Sequence, residues 1–163
     1  MAHLKRAQYK QMLWKNGKGQ TAEIDRVPAQ ENYHWRLSCA TVDAENEFSR
    51  FPGFDRWLVV VEGDGLILNG VPRAPLEPFR FAGEDQIQCR LIGSQVTDLG
   101  LIFDRERIQA EMIFFTGALP KATTPSQSLA TYIFDLQSGD TYKDELNSAV
   151  KSGVLVYIWD AEI

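Results

Sequence analysis

An all-β sandwich or barrel is the architecture this sequence predicts, on three observations. Its apolar residues fall into roughly ten short runs, several alternating with polar residues at the period of a strand. Glycine, proline, asparagine and aspartate punctuate those runs at close intervals. Almost nothing reads as helix; only Asp144 to Val150 admits a short one.

Taken in order, residues 2–12 predict an extended lead-in or one helical turn, with His3 in a disordered start. In Trp14-Lys15-Asn16-Gly17-Lys18-Gly19 an aromatic precedes Asn-Gly, a tight turn because both residues tolerate positive φ. It is either a plain surface turn or a loop whose backbone N–H groups approach an anion, with Lys15 adding charge. Its spacing is not that of a Walker loop. Thr21 to Val27 reads as a strand stopped by Pro28.

Tyr33 to Val42 is a stronger strand. Trp35, Leu37, Cys39 and Thr41 share one face, and Arg36, Ser38, Ala40 and Val42 the other. The second face is either a lumen or solvent; alternation does not choose. Trp57 to Glu62 is a buried strand, and Leu66 to Gly70 is expected to close a hairpin with it across Gly63-Asp64-Gly65. Pro72, Pro75 and Pro78 exclude regular structure until Phe79. Further strands are expected at 79–82, at 86–92 with Ile87, Cys89 and Leu91 inward, and at 96–103, 108–116, 129–136 and 154–159. Asp104 to Arg107 is a charged turn.

The chain has 163 residues, 44% hydrophobic and 24% charged, an ordinary globular composition with no long linker. One compact unit, 1–163, is expected, with halves near 1–95 and 96–163 and a faint echo between Val60 to Gly65 and Phe134 to Asp140. The net charge of -5 argues against a duplex-binding protein, which needs a basic face. Cys39 and Cys89 lack metal or redox spacing and read as buried reduced thiols. The basic start Met1 to Arg6 precedes no apolar segment, so neither a signal peptide nor a membrane span is expected, and a cytoplasmic location is.

The stretch that organises the rest is Phe48-Ser49-Arg50-Phe51-Pro52-Gly53-Phe54-Asp55-Arg56. It interleaves aromatics with arginines, turns at Pro-Gly, and leads into the buried strand at Trp57. Loops at the end of a rigid strand are where small-molecule sites lie. The expectation is a β-barrel pocket with basic groups at its mouth.

Several stretches together resemble the HutD/Ves family of cupin-like proteins. They are Trp14-Lys15-Asn16-Gly17 with Gly19 and Thr21, Glu23-Ile24, Trp35-Arg36-Leu37-Ser38 with Ala40, and Phe48 to Gly53 with Asp55-Arg56. Glu62-Gly63 with Gly65, Pro78-Phe79 with Phe81, and Cys89-Arg90-Leu91 with Asp98 complete a series running in order across residues 14–98. Lys18 stands where the family usually has a third glycine, and Leu99-Gly100 where it has Phe-Asn. The resemblance implies a bicupin, two β-barrel halves in one chain. It also implies a link to histidine degradation, with a small carboxylate such as formylglutamate or urocanate as ligand.

Most catalytic cupins hold a metal with two or three histidines and a glutamate. This chain has only His3 and His34, and the register of the usual His pair falls on Ser49-Arg50-Phe51. Arginine keeps its proton and binds no metal, but its planar fork suits a carboxylate. The expectation is therefore a binding or regulatory protein without metal or other cofactor, taking a small anionic metabolite. Arg50 and Arg36 are the expected anchors, Lys15, Asn16 and Gly17 the mouth, Ser38 and Ser49 the hydrogen-bond donors, and Trp14 and Phe51 the walls. Two alternatives stand beside it. One is a metal-independent isomerase or hydrolase using His34, Glu23 or Glu62 as base. The other is an interaction module whose barrel is filled with side chains. Oligomeric state is not readable from the residues.

Overall fold

The computed structural model describes residues 1–14, 16–121 and 128–161. The described residues carry fifteen strands and one turn of 3-10 helix, at Arg6–Gln8. The chain divides into two units, Lys10–Asp104 and Met1–Tyr9 with Arg105–Ile163. The strand Val96–Asp104 pairs along its whole length with strands of the first of these units.

The Lys10–Asp104 unit holds two sheets. One has six strands: β2 (Lys10–Leu13), β3 (Gly19–Val27), β4 (Trp35–Val42), β11 (Val96–Asp104), β6 (Phe54–Glu62) and β9 (Phe79–Ala82), in that order. The other has four: β5 (Asn46–Glu47), β10 (Gln88–Leu91), β7 (Leu66–Leu68) and β8 (Val71–Arg73). Leu58, Val60 and Val96 from the first sheet meet Leu66, Leu68 and Cys89 from the second in one apolar cluster, with Phe48 and Ile87. Burying these side chains, at roughly 1.5–3 kcal/mol each, is what fixes one sheet on the other. Cys89 is fully buried, and burial pushes its thiol up to about 12. Cys39 is only half-buried.

Two expectations are corrected here. The run Leu66 to Gly70 does not pair back on Trp57 to Glu62. The chain crosses between sheets at Gly63 and Gly65, whose φ of 100° and 118° only glycine adopts freely. The hairpin is instead β7–β8, with Leu68 opposite Val71 across Asn69-Gly70 at φ 48° and 79°. Pro72 lies within β8, on the sheet's edge, where its missing N–H breaks no ladder.

The stretch from Phe48 to Phe54 is pinned to one glycine. Phe51 N–H donates to Gly83 O at 2.7 Å, and Gly83 N–H donates to Phe54 O at 2.6 Å. A Cβ on Gly83 would lie 2.6 Å from Phe54 O and closer still to Phe51 O, both backbone atoms. Gly83→Ala is therefore expected to cost about 2–3 kcal/mol, as overpacking does, read as a lower midpoint in chemical denaturation. An unchanged midpoint would show that this turn yields freely.

The other unit is a five-stranded sheet in the order β1 (Ala2–Leu4), β14 (Thr141–Lys143), β13 (Ser128–Asp135), β15 (Ser152–Asp160) and β12 (Ile108–Thr116). Phe115, Ile133, Leu155, Tyr157 and Val150 form its apolar cluster. The lead-in is ordered. His3 sits in β1, its Nε2 2.7 Å from Asp140 Oδ2 and its ring stacked on Tyr142. Arg6 N–H donates to the same carboxylate, which holds Asp140 below the usual range. The short helix expected at Asp144 to Val150 does not form. Asp144 has φ 55° and its side chain accepts Thr131 N–H, an arrangement that ends a strand rather than starting a helix.

Candidate functional site

The register of the six-stranded sheet builds a floor. Arg36 faces Ile102, Ser38 faces Gly100 and Ala40 faces Asp98 on β4 and β11. On the other side of β11, Arg56 pairs with Ile102 and Leu58 with Gly100. Paired residues share a face, so these side chains stand on one surface. That surface lines a cavity of about 510 Å³. The question left open for β4 is answered: Arg36, Ser38 and Ala40 face the lumen. Small residues at Ser38, Ala40 and Gly100 keep the floor low. Gly100 has no atom closer than 3.8 Å to where a Cβ would stand, so its missing side chain leaves room rather than avoiding a clash.

The rim comes from loops. Trp14, Asn16, Ser49 and Phe51 line the cavity with Met12, Asn46, Glu47 and Phe48. Trp14 is fixed by its indole N–H, which donates to Thr21 Oγ1 at 2.8 Å. Asn16 Oδ1 accepts Lys18 N–H and closes the turn. Gly17, at φ 70°, makes that turn but does not line the cavity. Lys15 lies outside the described residues.

Arg50 does not reach this cavity. Its side chain is 52% exposed and pairs with Glu47 at 3.5 Å. The guanidinium that enters is Arg56, six residues on and inside β6. It lies 5.1, 5.4 and 5.0 Å from the ring centres of Phe48, Phe51 and Phe81. Among the described residues it meets no hydrogen-bond acceptor and no carboxylate at ion-pair distance. Burial lowers its pKa to about 10, against the attraction of Asp98, so it stays charged at neutral pH.

Arg36 is the second cation. Its Nε is 3.0 Å from Glu23 Oε1, in ion-pair range but off the hydrogen-bonding line. Glu23 also holds Arg26 at 2.6 Å. Asp98 lies on the floor, 4% exposed, and burial pushes its carboxyl up to about 7 against the pull of Arg56. His34, Glu23 and Glu62, the bases considered from sequence, do not line the cavity. Among the described residues no three His, Cys, Asp or Glu side chains are grouped to hold a metal. No helix among them is long and apolar enough to cross a membrane.

The HutD family model matches residues 6–151. The chain belongs to the HutD family. It is 41% identical over 122 residues to an uncharacterised 21.2 kDa protein of the hutC 3′ region of Pseudomonas putida, a match covering 70% of the chain and 64% of that relative. It is 36% identical over 107 residues to protein Ves of Citrobacter koseri, covering 61% of the chain and 56% of Ves. Both matches span less than two thirds of the relative's length. The structure of HutD from Pseudomonas fluorescens SBW25 (formate condition) superposes with a TM-score of 0.84 at 28% identity, over 98% of each chain. The all-β, cupin-like fold expected from the resemblance holds for this HutD-family chain.

Proposed function

We propose that this HutD-family protein binds a small organic acid in the Arg36–Arg56 cavity, as a cytoplasmic binding or regulatory protein linked to histidine utilisation. The observation that carries the reading is Arg56. A guanidinium beside three phenylalanine rings, with no acceptor among the described residues, is a preformed seat for a carboxylate. The rings hold the fork rigid and remove competing water, so little ordering remains when the acid arrives. Arg36, steadied by Glu23, supplies a second positive charge. Ser38 and Ser49 offer hydroxyl donors, and Trp14 and Phe51 offer apolar walls. A cavity of this size weighs against the filled-barrel alternative. The histidine link draws on the family and on the P. putida relative's place beside hutC; formylglutamate and urocanate are the proposed class.

Asp98 keeps a second reading in play. A carboxyl near pH 7 beside an anion seat is suited to general acid–base work, the requirement of a metal-independent isomerase or hydrolase.

A thermal-shift panel of N-formyl-L-glutamate, urocanate and simple mono- and dicarboxylates tests the proposal. At a hundredfold excess over Kd a ligand adds about 2.7 kcal/mol, roughly 5–10 °C for a chain of this length. Arg50→Ala is expected to keep that shift and Arg36→Ala to reduce it. A panel in which no acid shifts the midpoint would sink the binding reading. Turnover of a bound acid, followed by NMR, would favour the enzyme.

A further inference from the structure

An anion seat with a carboxylate on its floor poses an electrostatic conflict. Asp98 shares the cavity with Arg56, and no hydrogen bond from a described residue reaches its carboxyl. The charged and titratable groups around it are few. Arg56 faces it from β6, Arg36 stands on β4 committed to Glu23 of β3, and Cys89 of β10 is a neutral thiol. Glu47, at the rim, is spent on Arg50. Among the described residues Arg56 is therefore the one cation near Asp98 with capacity to spare. An incoming acid and an ionised Asp98 would compete for it, at close range and out of water, where like charges repel strongly.

We propose that the cavity takes up its anionic guest together with one proton, which Asp98 holds. Solvent supplies the proton to the Asp98 carboxylate as the guest's carboxylate settles on Arg56. The resulting carboxylic acid is neutral and gains an O–H donor, which it directs at an acceptor oxygen of the guest. The site thereby selects acids that carry an acceptor beyond the anchoring carboxylate. Its affinity is highest below neutrality and falls as pH rises above about 7, tenfold per pH unit for a single coupled proton. The inference rests on the anion-binding reading of the same cavity.

Titration calorimetry of the whole chain with N-formyl-L-glutamate at pH 8, in Tris and in HEPES, tests it. The two buffers differ in ionisation enthalpy, so the difference in observed heat counts the protons taken up. Uptake close to one proton per guest is expected for the wild type, and none for Asp98→Asn, whose affinity should be level between pH 6 and 9. A 13C titration of the wild-type Asp98 carboxyl, with and without the guest, reads the same coupling without a variant: the guest should move it upward. Binding without proton uptake would overturn the coupling and leave the anion seat standing. Uptake that persists in Asp98→Asn would assign the proton elsewhere and overturn it too. Absence of binding at any pH would overturn both.

Discussion

Asp98→Asn is expected to raise the thermal midpoint by roughly 10 °C at pH 8 and to leave it nearly unchanged at pH 4. The carboxyl titrates near 7 in the folded chain, against 3.8 for an ordinary aspartate, and burial is the main cause. A folded-state pKa raised above the unfolded value contributes stability that is fully present below pH 3.8. That contribution is lost as pH rises through about 7, because the folded chain must then carry a charge it has buried. Across a gap of about three pH units the loss is on the order of 4 kcal/mol. Asparagine has nearly the same shape and no charge, so it escapes the loss at pH 8 and gains nothing at pH 4. Paired melts at the two pH values check the expectation. A variant less stable than wild type at pH 8 would show that the Asp98 charge supports the fold through Arg56 more than burial penalises it.

That a stabilising substitution should be available at the floor of the cavity is itself informative. Buried, strongly perturbed carboxyls persist where the site uses them, and stability is the usual cost of such a group. The same group separates what the sequence disclosed from what it concealed. Alternation in β4 was legible: a strand reading Trp-Arg-Leu-Ser-Cys-Ala puts Arg36, Ser38 and Ala40 on one face. Which face was lumen was not, because that depends on the second sheet. Sequence favours Arg50 over Arg56 because the register of the usual histidine pair falls on Ser49-Arg50-Phe51. The parity of β6 did not correct this: Leu58 and Val60, in phase with Arg56, and Val59, out of phase, are all fully buried, so here too the cavity face depends on the second sheet. Asp98 offered a sharper signal: it is the one charged residue from Val96 to Phe103, and a lone acid inside such a strand marks a site.

The long strands were found because each carries enough alternation to show a period. The three-residue strands β8 and β14 carry none and exist only through their partners. The β6–β7 connection misled for a related reason. Gly63-Asp64-Gly65 reads as a tight turn whether the chain doubles back or crosses to another sheet, since both uses need the same left-handed glycines.

Arg56→Met is expected to abolish acid binding and to destabilise the chain at pH 8 by about 3 kcal/mol, the range seen when one partner of a buried charged pair is removed. Two losses combine in the second figure. The three phenylalanine contacts with the cation go, each worth about 0.5–1 kcal/mol, and Asp98 loses the positive charge that holds its carboxyl down, so at pH 8 the folded chain must take up a proton there. At pH 5 Asp98 is protonated, so only the first loss remains and the destabilisation should shrink accordingly. Adding Asp98→Asn to Arg56→Met should return most of the lost stability at pH 8, yet restore no binding, because a carboxylate still lacks its fork. Urea denaturation of the wild type, both single variants and the double variant closes a cycle that measures the coupling. A double variant whose stability is the plain sum of the two single changes would mean that Arg56 and Asp98 do not sense each other. A double variant that regains the thermal shift with N-formyl-L-glutamate would remove Arg56 from the anchor role and leave Arg36 to carry it.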